Sequence, residues 1–401
     1  MGYRTTSHGF LVEAHVTDKT NGNSYDVSKS VERITVKKNF IDNIFSLYSF
    51  ELRITTDLRD TFRDDEISLH ARISYYNIGD ANTSEEGDEN NIAEVGVLFD
   101  DEIRIYSKPF TTTVSKKEDE TDEASTQDES APFCYYSLTG IPEKEISKNE
   151  SVMNNIYLDC EVADVIVNML TTIDTTSNIY MQDTTNKNIF KDVIIPPVGI
   201  AEAIEFLDEQ YFIYKNPANL YIDTDSIYLY DPISLDTPKT NRIEYRIISS
   251  EATEEVPQSA LPDLDENNNI RFIYRSIPSF DVSKKIAAHK LGSHTIFYYY
   301  DDNFQINTRN KDNSESYKKD RYIWNIIDDT KSDITSDVVA GLVIKNINPG
   351  LINPLTEIEI VSDEYPVLQG TYLVGSIDYS FTSSDMIHYN ADAIISGIKK
   401  K

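Results

Sequence analysis

Hydrophobic and polar positions alternate along much of this chain. From Phe45 to Ile54, Phe50, Leu52 and Ile54 fall on one side of an extended backbone, and Glu51 and Arg53 on the other. A period of two marks a half-buried β-strand. Thr35–Phe40 precedes this stretch. Ile67–Ile73 repeats the pattern with Ile67, Leu69, Ala71 and Ile73, and Val95–Phe99 and Glu102–Tyr106 follow. The first 115 residues therefore predict an antiparallel β domain, a barrel or a sandwich.

The period changes between Pro132 and about Gln210. Phe133–Leu138 is a short strand. Cys160–Thr171 places Val162, Val165, Ile166, Met169 and Leu170 at helical spacing, and Gly199–Tyr211 does so with Ile200, Ala203, Ile204 and Leu207. Pro196-Pro197 stops the chain before the second helix, and Glu202 and Glu205 suit its positive end. Both apolar stripes predict core packing. Tyr211–Tyr214, Leu220–Ile222 and Ile227–Tyr230 then read as three strands, separated by Asn216-Pro217 and Asp223-Thr224-Asp225. Ser283–Leu291 predicts a short helix closed by Gly292. Val338–Ile344 and Glu357–Val361 are strands. Tyr372–Phe381 and Met386–Ile395 form a long hairpin around Thr382-Ser383-Ser384-Asp385. The fold class is mainly β, with some α.

Charge narrows the function. The 401 residues carry 68 acids against 37 bases, a net charge of −31. That disfavours a large phosphate-gripping surface and docking on anionic membranes. Asp80–Glu94 holds six acids and no base, Ser115–Ser130 seven acids and two lysines, and Glu251–Asn268 six acids and no base. Segments of that composition do not bury themselves, so all three read as surface loops. The N-terminus lacks the apolar core of a signal peptide, and the longest apolar run, Val338–Ile344, is too short to span a membrane. The expectation is a protein made in the cytoplasm without a membrane anchor.

The usual marks of catalysis are missing. His8, His15, His70, His289, His294 and His388 have no metal-ligand spacing, and Gly292 separates the closest two. Cys134 and Cys160 are too few for a disulfide scaffold or a four-cysteine zinc site, and read as reduced thiols. Asp223-Thr224-Asp225 reads as a turn before it reads as a cation site. Asp263–Tyr274 begins like a calcium loop but has Asn268 where glycine is required and ends on Tyr274 rather than Glu. No nucleophile elbow, zinc-protease helix, Walker loop or dinucleotide fingerprint occurs. The sequence predicts no enzyme, no catalytic, cofactor-binding or metal residue, and no cofactor.

The order of three stretches carries a resemblance. Ile195–Leu207 (IPPVGIAEAIEFL) leads into Tyr211–Asp231 (YFIYKNPANLYIDTDSIYLYD). Asn348-Pro349-Gly350 later precedes Gly370-Thr371-Tyr372-Leu373-Val374 and the hairpin to Ile395. In this order the chain resembles the central hub protein of contractile phage tail baseplates, and more loosely the hub part of type VI secretion spikes. Asn353-Pro354 departs from the pattern, having Leu355 where a glycine would follow.

The resemblance implies a homotrimer in which each chain supplies two tail-tube-like β-barrels, giving a pseudo-sixfold ring. That ring would join the hexameric tail tube to the trimeric central spike and leave a channel for DNA, which passes without being held. It implies a first barrel at residues 1–131, an α+β domain at 132–205, a second barrel from 206–240 with 336–401, and an inserted domain at 241–335. The implied partners are the tail tube protein, the central spike protein and other baseplate proteins. The implied location is the virion, after assembly in the host bacterial cytoplasm, and the length suits a hub with no fused lysin. Two other readings stand beside it. One is a peripheral baseplate or receptor-binding protein, for which the 26 tyrosines would suit a recognition surface, although many lie in alternating strands. The other is a cell-wall hydrolase, which the missing motifs oppose.

Overall fold

The computed structural model describes residues 8–41, 43–55, 66–77, 96–112, 133–214, 217–232, 352–362, 366, 369–384 and 388–399, and the strands named below between 242 and 345. Asp80–Glu94, Ser115–Ser130 and all of Glu251–Asn268 except residues 263–264 lie outside the described residues.

Eight strands come first: β1 (His8–Asp18), β2 (Ser24–Asp26), β3 (Val31–Asn39), β4 (Leu47–Thr55), β5 (Ile67–Asn77), β6 (Gly96–Ser107), β7 (Phe110–Thr112) and β8 (Phe133–Pro142). The expected alternation is present: Phe50, Leu52 and Ile54 are buried, as are Ile67, Leu69, Ala71 and Ile73, while Glu51 and Arg53 face out. Val95–Phe99 and Glu102–Tyr106, read as two strands, belong to the single strand β6, except residue 95, which lies outside the described residues. The Asp100-Asp101 pair continues the ladder, with Ala71 opposite Asp101 and Arg72 opposite Asp100. β8 pairs with β4, β6 and β7, so this unit extends past residue 131.

An α+β unit follows: α1 (Glu143–Glu150), β9 (Ile156–Glu161), α2 (Val162–Ile173), β10 (Asn178–Met181), β11 (Ile189–Ile194), α3 (Ile200–Tyr211), β12 (Asn219–Ile222) and β13 (Ser226–Tyr230). The predicted stripes of α2 and α3 are buried in one core, including Val165, Ile166 and Met169 of α2 and Ala203, Ile204 and Leu207 of α3. Tyr211–Tyr214 is not a strand. Tyr211 ends α3, Phe212 turns the chain at φ 57°, and the Asp208 carboxylate takes the Ile213 N–H at 3.0 Å, leaving that N–H none to give a ladder.

The remaining strands are β14 (Arg242–Ile247), β15 (Asp263–Leu264), β16 (Ile270–Tyr274), β17 (Phe280–Asp281), β18 (Ala288–Gly292), β19 (Thr295–Tyr300), β20 (Ile306–Asn310), β21 (Ile323–Ile327), β22 (Lys331–Ile334), β23 (Val339–Lys345), β24 (Glu357–Ser362), β25 (Gly370–Ser383) and β26 (His388–Lys399). Of the helix expected at Ser283–Leu291, residues 283–287 lie outside the described residues. Ala288–Leu291 is strand instead, because its backbone pairs with Lys331–Ile334 from a distant part of the chain.

One 16-stranded sheet contains a closed ring of eight. Its order is β3-β4-β8-β6-β5-β1-β26-β25, and β25 returns to β3. The predicted C-terminal hairpin is therefore a wall of the barrel that the N-terminal strands begin. Tyr389, Ala391, Ala393 and Ile395 face its core. Two arms leave the hairpin, β24-β14-β16-β15 from β25 and β23-β17 from β26.

This pairing differs from the expected union of 206–240 with 336–401. β12 and β13 join β10 in a three-stranded sheet, and the strands beside 336–401 come from 242–281 and from the N-terminal barrel. The reason is burial on both faces. Tyr221, Tyr228 and Tyr230 enter the barrel core, while Leu220, Ile222, Ile227 and Leu229 enter the helical core. A ribbon apolar on both sides belongs between two layers rather than at a wall facing solvent.

Gly140 sits where β8 passes closest to β6. A Cβ there would lie 2.4 Å from the Arg104 carbonyl oxygen and 2.5 Å from Ile103 Cγ2. Gly140→Ala is expected to push the two strands apart and lower stability by about 1–3 kcal/mol, read from the urea unfolding midpoint.

Candidate functional site

Where the α+β unit meets the barrel, the chain buries charge. Glu145 and Lys148, three residues apart on one face of α1, are 0% and 5% exposed. Glu145 Oε2 accepts the Ser46 N–H at 2.9 Å, and Oε1 lies 3.4 Å from Thr224 Oγ1. Burial, with Asp223 nearby, pushes the Glu145 carboxyl well above the usual range, and Lys38 opposes that rise. Lys148 Nζ donates to the carbonyls of Asp223 at 3.0 Å and Thr224 at 2.7 Å, and stands 3.5 Å from the Asp174 carboxylate. Lys38 Nζ, from the barrel strand β3, meets Asp223 Oδ2 at 2.7 Å.

Asp223-Thr224-Asp225 is thus the predicted turn between β12 and β13, and two lysines from two different units also grip it. Tyr221 adds a hydroxyl contact to Ser46 Oγ at 2.8 Å, and its ring meets Phe40 edge-on at 4.9 Å. Tyr230 OH donates to the Phe40 carbonyl at 2.6 Å. Sequence reading did not single out Glu145 or Lys148. The segment EKEISKNE has one apolar residue in eight, so it resembles a solvated surface helix. On the other side of α1, Arg104 of β6 donates to Glu143 and Glu150, each at 2.9 Å, and holds the Glu143 carboxyl below the usual carboxylate range.

The long hairpin is the second feature. Its strands pair with each other from Tyr372–Lys399 to Ser383–Tyr389. Along its other edge, β25 gives Gly370–Leu373 to β24 and Ser376–Thr382 to β3. β26 gives His388 and Tyr389 to β1 and Asp392–Ile398 to β23. The partner changes at a bulge between Val374 and Ser376, where the Gly375 carbonyl accepts the Phe40 N–H at 2.9 Å. One hairpin is therefore part of two sheet regions.

The third feature is an uncovered apolar ribbon. β9 and β11 pair only with each other among the described residues. Val152, Ile156, Leu158, Ile189 and Ile194 on and beside them are 51–71% exposed. Single exposed apolar residues are ordinary, but a contiguous group marks a contact surface.

Asp208, near the end of α3, is a second carboxyl of the α+β unit whose titration is displaced upward. Its carboxylate accepts the Ile213 and Ala218 N–H groups at 3.0 and 2.8 Å. Burial still pushes its pKa up to about 6. A carboxyl raised on folding contributes stability below its unfolded pKa, and the contribution is lost as pH rises through the folded value. Relative to Asp208→Asn, the parent should therefore lose on the order of 2 kcal/mol between pH 4 and pH 6, measured by urea unfolding across that range.

Among the described residues neither cysteines nor histidines assemble a centre. Cys134 is buried and Cys160 half-buried, both free. His70 lies 3.1 Å from Asp100, His15 is opposite His70 in the ladder, and His388 meets Tyr76 edge-on at 5.7 Å. His8 and His289 are described only as backbone, and His294 lies outside the described residues. Among the described residues no group of three or more His, Cys, Asp or Glu side chains is placed to hold a metal ion. No helix there is long and apolar enough to cross a membrane.

Comparison with known proteins gives three kinds of result. No curated protein matches the chain in sequence. Among solved structures, it is similar to the 43 kDa tail protein of prophage MuSo2 from Shewanella oneidensis, at 9% identity and a TM-score of 0.46, covering 96% of each chain. A tail protein from Neisseria meningitidis MC58 is similar at 10% identity and a TM-score of 0.42, covering 97% of this chain and 96% of that one. An E. coli component of the type VI secretion system, described as similar to T4 bacteriophage tail proteins gp27 and gp5, matches at 10% identity and a TM-score of 0.41, covering 93% of this chain and 74% of that one. The third result is a family model, described as Bacteriophage PBS1 gene 109 protein, which matches residues 15–384. That span is nearly the whole sequence, and the chain belongs to this bacteriophage protein family.

Proposed function

We propose that this phage protein is a structural component of a contractile tail, the baseplate hub, and not an enzyme. In this reading it is a homotrimer whose chains each supply two barrel-like units to a pseudo-sixfold ring. The ring binds the tail tube protein on one side and the central spike protein on the other, beside other baseplate proteins of the virion. The observation that carries the reading is the shared hairpin. Its strands serve the eight-stranded ring and both arms, so one continuous ribbon couples two β units within a chain. A chain that presents two units to one ring needs them held rigidly together, because slack between them would spoil closure.

The first unit is assigned to residues 1–131 together with β8, the α+β unit to the segment from α1 to β13, and the second unit to the hairpin with its arms. The stretch 241–335 supplies β14 to β17 to the arms, and β18 to β22 form two smaller sheets. The ribbon of β9 and β11 suits a contact with a neighbouring protein in such an assembly. The net charge of −31 suits a channel that lets DNA pass without holding it.

Mass measurement in solution and averaged electron micrographs test the proposal. A trimeric ring with a central channel is the expected result. A monomer or an elongated tip would overturn it in favour of a peripheral or receptor-binding role. A ring that retained duplex DNA at physiological salt would remove the channel part alone.

A further inference from the structure

We propose that the outer face of the β9–β11 ribbon is the docking site for an amphipathic helix of a partner protein, one whose aliphatic stripe is flanked by Lys or Arg. Val193 lies in the helical core and Tyr157, Cys160 and Phe190 pack against it, while Ile156, Leu158, Ile189 and Ile194 stay uncovered. On each strand the inward residues are three apart rather than two. On β9 the reversal comes at Asp159, whose φ is 49°. The register places Ile194 opposite Ile156, Asp192 opposite Leu158, and Ile189 opposite Glu161. One end of the ribbon is therefore aliphatic, and the other mixes aliphatic and acidic side chains. Exposed apolar groups gathered this way mark a contact surface.

Length, edges and charge select the occupant. β9 has six residues, about 20 Å of strand. About 13 residues of α-helix cover that length. A partner strand fits less well. Asp159 interrupts the regular backbone along β9, and the Tyr211 hydroxyl already meets the backbone of Ile194 on β11. The face is what remains open. Around it stand Asp159, Glu161, Asp192 and, from the first turn of α2, Asp164, against the single base Lys191. Burial, then Asp164 and Asp159, push the Cys160 thiol up, which places both carboxylates beside the ribbon. None of these five charged groups has an ion-pair partner among the described residues. A helix with Lys or Arg beside its aliphatic stripe supplies the missing charge. A second copy of this chain, at −31, brings more of the same sign. The hub reading gives the partner its place in a tail, and the inference rests on that reading for this alone.

The test uses the full chain and a helical peptide of about 14 residues, with a leucine stripe flanked by lysines. Fluorescence anisotropy should give it a Kd below about 1 mM, and at least about tenfold below that of the same peptide with glutamate for lysine. The peptide with serine for leucine keeps the charge and should bind at least about tenfold more weakly, which separates docking from attraction to an acidic protein. Ile156→Ser with Leu158→Ser should abolish binding, and Asp159→Asn with Asp192→Asn should weaken it. Ile394→Ser, at another exposed isoleucine, should leave it unchanged. These positions are exposed, so the urea midpoint should hold in every variant. Binding that survives the two serine substitutions, or a serine peptide that binds equally, would overturn the proposal. So would loss of a trimer in those variants, which would assign the ribbon to contact between copies, or capture of phosphatidylcholine vesicles through it. A monomeric parent that binds the lysine peptide through the ribbon would overturn the hub reading and leave the docking face standing.

Discussion

Tyr379→Ala should unfold the protein at a urea concentration far below that of the parent. Tyr379 is 1% exposed on β25, in the half of the hairpin that pairs with β3. Truncating a buried aromatic costs about 3–5 kcal/mol, since the transfer energy is lost and the space does not close. The position adds to that expectation. Tyr379 packs at 6.5 Å from Phe381, whose ring meets Phe10 of β1 at 5.2 Å. The loss therefore loosens the seam where N-terminal and C-terminal strands join. Ile394→Ala on the partner strand is the control. That side chain is 52% exposed, and its loss should change stability by no more than about 0.5 kcal/mol. Hydrogen exchange in the Tyr379 variant should speed up in β3 and β26 together. Acceleration confined to the α+β unit would show that the hairpin does not close the ring.

Lys148→Ala should be nearly as damaging. It strips the Asp223 and Thr224 carbonyls of their donor and leaves Asp174 without the neighbouring positive charge. Removing one partner from a buried charge cluster costs about 3–5 kcal/mol, because the opposite charges stay buried. Lys38 grips the same residue, Asp223, from the barrel side. The double variant Lys148→Ala with Lys38→Met should therefore depart from additivity by about 0.5–3 kcal/mol, as groups with a shared partner do. Strict additivity would mean that the two lysines act on separate structures.

The ring strand β1 went unread, whereas alternation made β3 to β6 and the C-terminal hairpin readable, and helical spacing the two packed helices. Each is a local pattern with one buried face. What stayed hidden is long-range. Nothing local says that Ser380 pairs with Thr35 or that Leu373 pairs with Glu357. β12 and β13 were recognised as strands, yet their sharing between two cores could not be read, because apolar residues on both faces erase the signal of direction. The helix expected at Ser283–Leu291 gave way to a strand where a distant ladder partner outweighed local propensity. Glu145 and Lys148 stayed invisible because buried charge has the same letters as exposed charge.

The position of the hairpin also bears on how the protein is made. β1 and β3 leave the ribosome more than 300 residues before their ring neighbours β26 and β25. At about 5–20 residues per second, the open sheet from β1 to β8 waits tens of seconds with two unpaired edges. Such edges invite pairing with other chains. The nascent protein is therefore most vulnerable between the synthesis of β8 and that of β25. Conditions that slow elongation should lower its soluble yield more than they lower the yield of a protein whose barrel closes on neighbouring strands.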